Sequence, residues 1–217
     1  MEIVFGIFGI IGGLLSACAD MLVDLKGKDN EKVGKYGIMD SCWGRMNISR
    51  FKYSIFLEMF ATPMMLLGLI SLAMQMSSVN RTFGLVFFIV SITGAIGGYF
   101  IHTMCCLLPV VYKKMMPENS FEKAEEVING IFDAIKVPFF TLYTIFVIVT
   151  SIMAGIAMFT GVLPISPWFL LLTPMVLFIF SEILRKLVPS VFYDIPGIMA
   201  ASLGFAMYGI MAVYCAI

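Results

Sequence analysis

Residues 14–24 read LLSACADMLVD, and two interpretations of this stretch give opposite topologies. The tetrapeptide LSAC matches the pattern that a lipoprotein signal peptidase cleaves, which would leave Cys18 as a lipidated N-terminus. In the alternative, the apolar run continues through Cys18, so that Asp20 and Asp24 lie one turn apart on a transmembrane helix. The choice between them decides where every later segment lies relative to the membrane.

The composition is that of a polytopic membrane protein. Of the 217 residues, 60% are hydrophobic and 13% are charged, whereas a soluble domain has about 45–50% apolar and about 25% charged residues. The mean hydropathy is +0.99. A net charge of zero, without a basic patch interleaved with aromatic residues, gives no indication of a nucleic-acid partner. The five scattered cysteines predict buried thiols rather than a disulfide framework.

Six segments are apolar and long enough to cross about 30 Å of hydrocarbon, which takes about 20 helical residues. They lie approximately at residues 3–25, 53–76, 83–112, 131–159, 168–184 and 195–217. Neither an internal repeat nor a soluble domain accompanies them. The sequence therefore predicts an all-α protein in which residues 1–217 form one domain, a six-transmembrane-helix bundle.

The basic residues orient this bundle. Of the fourteen Lys and Arg residues, seven lie in residues 26–52, four in residues 113–136, and two are Arg185 and Lys186, which leaves only Arg81 for the other side. Under the positive-inside rule, the first three groups are cytoplasmic and both termini are outside. We expect an integral, multi-pass protein of the bacterial inner (plasma) membrane.

This charge distribution decides between the two interpretations of Cys18. A lipoprotein cleaved before Cys18 would have no span ahead of the seven basic residues that follow, so the charge bias would be inverted. The segment before Cys18 also carries Glu2 and no Lys or Arg, whereas a signal peptide needs a positive amino-terminal region. The transmembrane helix is the favoured interpretation.

Ionisable residues are placed unevenly along the six predicted helices. Asp20, Glu58 and His102, the single histidine, lie at a depth where hydration is difficult, and such residues are usually functional. The outer halves of the helices carry no ionisable residue other than Glu2, while each inner half carries at least one. We therefore expect a polar pocket that opens to the cytoplasm and has Asp20, Glu58 and His102 in its lining.

Other charged residues have two interpretations each. Asp24, Glu182 and Arg185 either belong to the ligand-binding pocket or are interfacial residues, and the i, i+3 spacing lets Glu182 and Arg185 pair with each other. Arg45 and Arg50, which alternate with aromatic residues, either anchor the chain in the headgroup layer or hold a phosphate or carboxylate of a ligand or an anionic lipid.

The sequence favours metal-free chemistry. The spacing of Asp20 and Asp24 could hold Mg²⁺ and a diphosphate, but the second acidic motif that membrane prenyltransferases carry is missing. One histidine and unclustered cysteines give too few ligands for zinc. We expect neither a metal nor a cofactor. Acid–base catalysis by His102 with Glu58 or Asp20 on a lipid-like substrate is the enzymatic alternative.

The leading interpretation is a protein that binds or transports a small amphiphilic or lipid-like ligand, with membrane lipid as its surroundings. A channel is disfavoured because the outer halves offer no polar path. The third alternative is a structural or immunity-type partner of another membrane protein, and both a protein partner and a homo-oligomer are left open.

Overall fold

The stretch at residues 14–24 lies in an unbroken helix, α1 (Glu2–Asp24), as the transmembrane interpretation predicts. The computed structural model describes residues 1–116, 120–189 and 197–217. The remaining elements are β1 (Lys32–Val33), β2 (Met39–Asp40), a 3₁₀ turn (Ser41–Gly44), α2 (Ile48–Val79), α3 (Arg81–Met115), α4 (Phe121–Tyr143), a π-helical stretch (Thr144–Val149), α5 (Thr150–Phe159), a second 3₁₀ turn (Pro167–Leu172), α6 (Pro174–Leu187) and α7 (Gly197–Ala216). Within these ranges the fold is all-α apart from one two-stranded antiparallel hairpin.

Five helices in the described part of the chain are long and apolar enough to cross a membrane. They are α1, α2, α3, the continuous run from α4 to α5, and residues Met199–Ala216 of α7. These findings support a membrane protein, while the predicted count of six spanning helices is not confirmed. The last predicted segment, 195–217, begins with two residues that lie outside the described ones.

The segment predicted to span at residues 168–184 is not one helix. A 3₁₀ turn ends at Leu172, and α6 then begins at Pro174 and has 14 residues. Thr173 between them is extended, with ψ of 155°, because the ring of a following proline disfavours the helical conformation of the residue before it. The segment predicted as the fifth span is therefore interrupted at Thr173, directly before Pro174.

Three helices begin before their apolar segments do. The side-chain oxygen of Asn47 accepts a hydrogen bond from the Ser49 amide at the start of α2, and Asn80 does the same for Phe83 at the start of α3. These contacts satisfy amides that have no partner in the first turn of a helix. The third, α4, begins at Phe121 with an amphipathic turn rather than at residue 131.

The bundle has one charged end. Residues 25–47, which we call the cap, cover this end and pack Met39 and Trp43 against the ends of α3 and α4. Lys113 of α3 fastens the cap by donating hydrogen bonds of 2.8 and 2.6 Å to the carbonyls of Gly44 and Met46. The first and last residues of the chain lie at the opposite end, because α1 and α7 are antiparallel.

Glycines bring α1, α2 and α7 together in the half away from the cap. Gly9 of α1, Gly68 of α2 and Gly209 of α7 meet at one point, and a Cβ atom on Gly9 would lie 2.6 Å from the Cα atom of Gly68. Small residues let helix backbones approach closely in membranes, where dispersion contacts replace the hydrophobic effect as the main driving force. This half of the bundle is therefore tightly closed.

This contact predicts the effect of one added methyl group. Gly9→Ala should lower the thermal unfolding temperature in detergent, because overpacking against a backbone costs about 1–3 kcal/mol. Gly130→Ala is the matched control, since Gly130 is an exposed position of α4 with nothing within 4 Å of its added Cβ, and it should be neutral or stabilising. Equal stability of the two variants would contradict the described packing.

Candidate functional site

A cavity of about 320 Å³ lies between the helices at mid-depth and toward the cap. Its volume is within the range of about 300–1,000 Å³ that small-molecule sites usually have. The charged and hydroxyl-bearing lining residues of α1, α2, α3 and α7 are called the polar side below. Six aromatic rings also line the cavity and are called the aromatic wall: Phe139, Phe140, Tyr143, Phe146, Phe178 and Phe205.

The polar side is built around a buried ion pair. The Oδ1 atom of Asp20 lies 3.2 Å from the Nδ1 atom of His102, and the Oδ2 atom of Asp20 accepts a hydrogen bond of 2.6 Å from the Ser202 hydroxyl. The hydroxyls of Ser202 and Ser16 are 3.1 Å apart. The Asp20 carboxylate therefore connects α1, α3 and α7, and both of its oxygens are used within the protein.

His102 also contacts α2. Its Nε2 atom lies 2.7 Å from the Ser54 hydroxyl oxygen, and Ser54 donates its proton to the Ala19 carbonyl at 2.7 Å. A hydroxyl has one proton, so when Ser54 donates to Ala19, the Nε2 atom of His102 must be the donor to Ser54. The Nδ1 atom of His102 faces the Asp20 carboxyl, so both ring nitrogens have a partner within the protein.

The order Ser54, His102, Asp20 is similar to the relay of serine hydrolases, which is recognised by geometry rather than by sequence order. Ser54 has no exposed surface and is not among the residues that line the cavity. A nucleophile must reach a substrate, so the arrangement fixes the orientation of His102 and does not present Ser54 for attack.

Only one carboxyl oxygen of Glu58 has a hydrogen-bond partner among the described residues. It is 2% exposed, it lines the cavity, and its Oε1 atom accepts a hydrogen bond of 2.6 Å from Thr62. Its Oε2 atom has no hydrogen-bond partner among the described residues, and the same holds for the Oδ2 atom of Asp24. Buried carboxylate oxygens without partners are costly, so each of these two atoms is an acceptor that a bound hydrogen-bond donor would stabilise.

An ionic network of the cap lies beyond Asp24. Lys26 bridges the carboxylates of Asp24 and Asp40 at 3.0 and 2.9 Å, and Lys32 lies 2.9 Å from Asp40. Burial alone would raise the pKa of Asp40, but Lys26 beside it and a hydrogen bond from Lys32 hold that pKa below its ordinary 3.8. Burial lowers the pKa of Lys26, but its two carboxylate partners outweigh burial and raise it.

The cavity includes four of the eight residues proposed from the sequence: Asp20, Asp24, Glu58 and His102. Asp20 and Asp24 do not share a ligand position, because Asp20 faces His102 while Asp24 faces Lys26. Four hydroxyl-bearing residues of this network were not predicted from the sequence: Ser16, Ser54, Thr62 and Ser202.

The other four proposed residues lie outside the cavity lining. Arg50 caps the last turn of α1 by donating to the carbonyls of Leu22 and Leu25, each at 2.9 Å. Arg45 is exposed and borders a separate polar pocket in the cap. Glu182 and Arg185 pair with each other at 2.7 Å on α6.

These features define a helical membrane protein with an amphipathic cavity between its helices. Residues 2–217 match the family described as a family of unknown function, DUF6796, and the chain belongs to this family. No curated protein and no solved structure matches the chain.

The cap network predicts a pH-dependent stability. Asp40→Asn should lower the unfolding temperature at neutral pH, since removing one partner of a buried ion pair leaves a charge uncompensated, here at a cost of about 2 kcal/mol because Lys26 keeps Asp24. The pKa of Asp40 is depressed, so its contribution is complete above 3.8 and is lost as the pH falls through the lower folded value.

The measurement is the difference in unfolding temperature between the wild type and Asp40→Asn across this pH range. The difference should close below about pH 4. Asp133→Asn is the control, because Asp133 forms an exposed pair with Lys136, and its substitution should change the unfolding temperature little at any pH. A difference that stays constant down to acidic pH would contradict the role given to Asp40.

Proposed function

We propose that this protein binds a small amphiphilic, lipid-like ligand in the cavity between its helices. The observation that carries the proposal is the mixed chemistry of the cavity lining, which combines carboxylates on α1 and α2 with six aromatic rings. A ligand with a polar head and an apolar body matches both kinds of lining group, whereas a wholly polar or a wholly apolar ligand matches one of them.

We further propose that the charged end is cytoplasmic, that the chain crosses the bacterial inner membrane six times, and that Met1 and Ile217 are outside. The basic residues of the cap and of the ends of α3 and α6 support this orientation. The broken segment formed by residues 167–187 would provide the fifth crossing.

The access route is proposed from the packing. The glycine contacts among α1, α2 and α7 close the half away from the cap, so the ligand would enter from the cytoplasmic side or from the inner leaflet. Transport would require these contacts to separate. In the conformation described, the proposed ligand would have access to the cavity from one side only.

Acid–base catalysis is the second candidate function. It is favoured by the position of the Asp20–His102 pair in the cavity lining, where an imidazolium with a carboxylate partner could donate a proton to a bound substrate. Glu58, with one unfilled oxygen, would be the acceptor. Catalysis would appear as chemical conversion of the ligand by the wild type and its recovery unchanged from His102→Gln.

Filling the cavity should abolish ligand binding. Ile101 of α3 lines the cavity, while Ile96 of the same helix is 68% exposed, so Ile101→Trp and Ile96→Trp form a matched pair. Native mass spectrometry of protein released from micelles should show a retained small molecule on the wild type and on Ile96→Trp, and none on Ile101→Trp. A spectrum without adducts in all three proteins, or with a stoichiometric protein partner instead, would count against the proposal.

The orientation predicts the behaviour of fluorescent reporters in a bacterial host. Green fluorescent protein inserted at the β1–β2 turn, after Gly37, should fluoresce because the turn would be cytoplasmic. The same reporter after Ile217 should stay dark because the reporter does not mature when exported unfolded, and alkaline phosphatase at that position should be active. The reverse pattern would invert the proposed topology.

A further inference from the structure

One acidic side chain of the cavity lining has no ion-pair partner among the described residues. Three carboxylates line it, those of Asp20, Asp24 and Glu58. Asp20 has His102 as its counter-ion and Asp24 has Lys26. No Lys, Arg or His in the described residues forms an ion pair with Glu58, whose only hydrogen bond is the one from Thr62. The cavity therefore carries one carboxylate more than its paired cations.

Two of the lining carboxylates each have one oxygen without a hydrogen-bond partner among the described residues, and these oxygens are acceptors. The Oε2 atom of Glu58 and the Oδ2 atom of Asp24 are buried in residues that are 2% and 7% exposed, and neither has a partner among the described residues. Carboxylate oxygens need hydrogen-bond donors. A ligand headgroup that fits these positions must therefore carry N–H or O–H groups, and a positive charge on it would form the stronger, charge-assisted bonds.

The aromatic wall suits a cation with an apolar body. Phe146 stacks on Phe205 with ring centroids 4.0 Å apart, and Tyr143 meets Phe178 edge-on at 6.0 Å. Ring faces attract cations within about 6 Å of their centroids, and the same rings bury hydrocarbon. An anionic headgroup would instead bring no donor to Glu58 and gain nothing from the ring faces.

We propose that the ligand of this cavity is a protonated primary or secondary amine on an apolar body, with its ammonium group donating to Glu58. This inference rests on the proposed function and narrows it to one class of ligand. A quaternary ammonium lacks the N–H donors that Glu58 requires, and a neutral alcohol lacks the charge. A series of probes that differ only in the headgroup can therefore distinguish an amine from a quaternary ammonium and from an alcohol.

The test uses four probes that share one hydrocarbon chain: octylamine, octyltrimethylammonium, 1-octanol and octanoate. Each is titrated against the purified full-length protein in phosphatidylcholine nanodiscs, with the shift in unfolding temperature as the readout. Octylamine should bind most tightly and octanoate most weakly. Glu58→Gln should weaken octylamine binding by about tenfold or more and leave 1-octanol binding within about twofold.

Glu182→Gln is the matched control, because it is the same substitution on a glutamate outside the cavity lining, and it should not change the order of the probes. Partition of a probe into the disc is the same for all variants, so differences between variants report the site. If Glu58→Gln does not fold, Glu58→Asp replaces it and should keep the preference for octylamine over 1-octanol at reduced affinity.

The outcomes separate this inference from the proposed function. If 1-octanol binds as tightly as octylamine and Ile101→Trp abolishes both, the cavity binds amphiphiles and the inference of an amine is wrong. If octanoate binds most tightly, or Glu58→Gln has no effect on octylamine, the inference is also overturned. If no probe binds to the wild type, the inference and the proposed function both fail.

A final comparison distinguishes two sources of the same ammonium chemistry. Replacing phosphatidylcholine with phosphatidylethanolamine in the disc supplies a lipid headgroup that carries a primary ammonium. Loss of the octylamine shift in those discs would identify an aminophospholipid headgroup as the occupant. Retention of the shift would identify a free lipophilic amine, and either result supports an ammonium site.

Discussion

The arrangement of this bundle depends on the buried contact between Asp20 and His102. A carboxylate held away from water is costly unless its oxygens are filled, and here His102 from α3 and Ser202 from α7 fill them, while Ser54 of α2 holds the other side of the imidazole. Four helices from distant parts of the chain therefore meet at one polar point. The polar side chains at this point cannot pack as an apolar core does. The space beside them is the cavity.

The two halves of the bundle are packed differently. Away from the cap, Gly9, Gly68 and Gly209 bring three backbones into contact, so little space is left for water or a ligand. Toward the cap, longer polar and aromatic side chains hold the helices apart, and Lys26 closes the network next to Asp24. The half of the bundle that carries the charged residues is thus also the half that is packed less tightly. This difference gives the proposed site one open side.

Much of the polar side could be predicted from the sequence, because an ionisable residue in an apolar helix must meet another polar group. The spacing of Ser54, Glu58 and Thr62 at i, i+4 and i+8 places all three on one face of α2, so a local pattern indicates this part of the site. The contact of Ser202 with Asp20 joins residues 182 positions apart, which no local pattern reveals. Arg50 looked like a ligand-binding cation, yet its nearest acceptors are the free carbonyls at the end of α1.

The most direct test of this account is an electron cryomicroscopy map of the wild type in nanodiscs, without added ligand and at a resolution that shows side chains. The account predicts density in the cavity that contacts the Glu58 carboxylate at one end and the ring of Phe146 along its length, with Asp20 and His102 paired beside it. A map in which the aromatic rings fill the cavity and Glu58 pairs with a cationic side chain of the protein would contradict it.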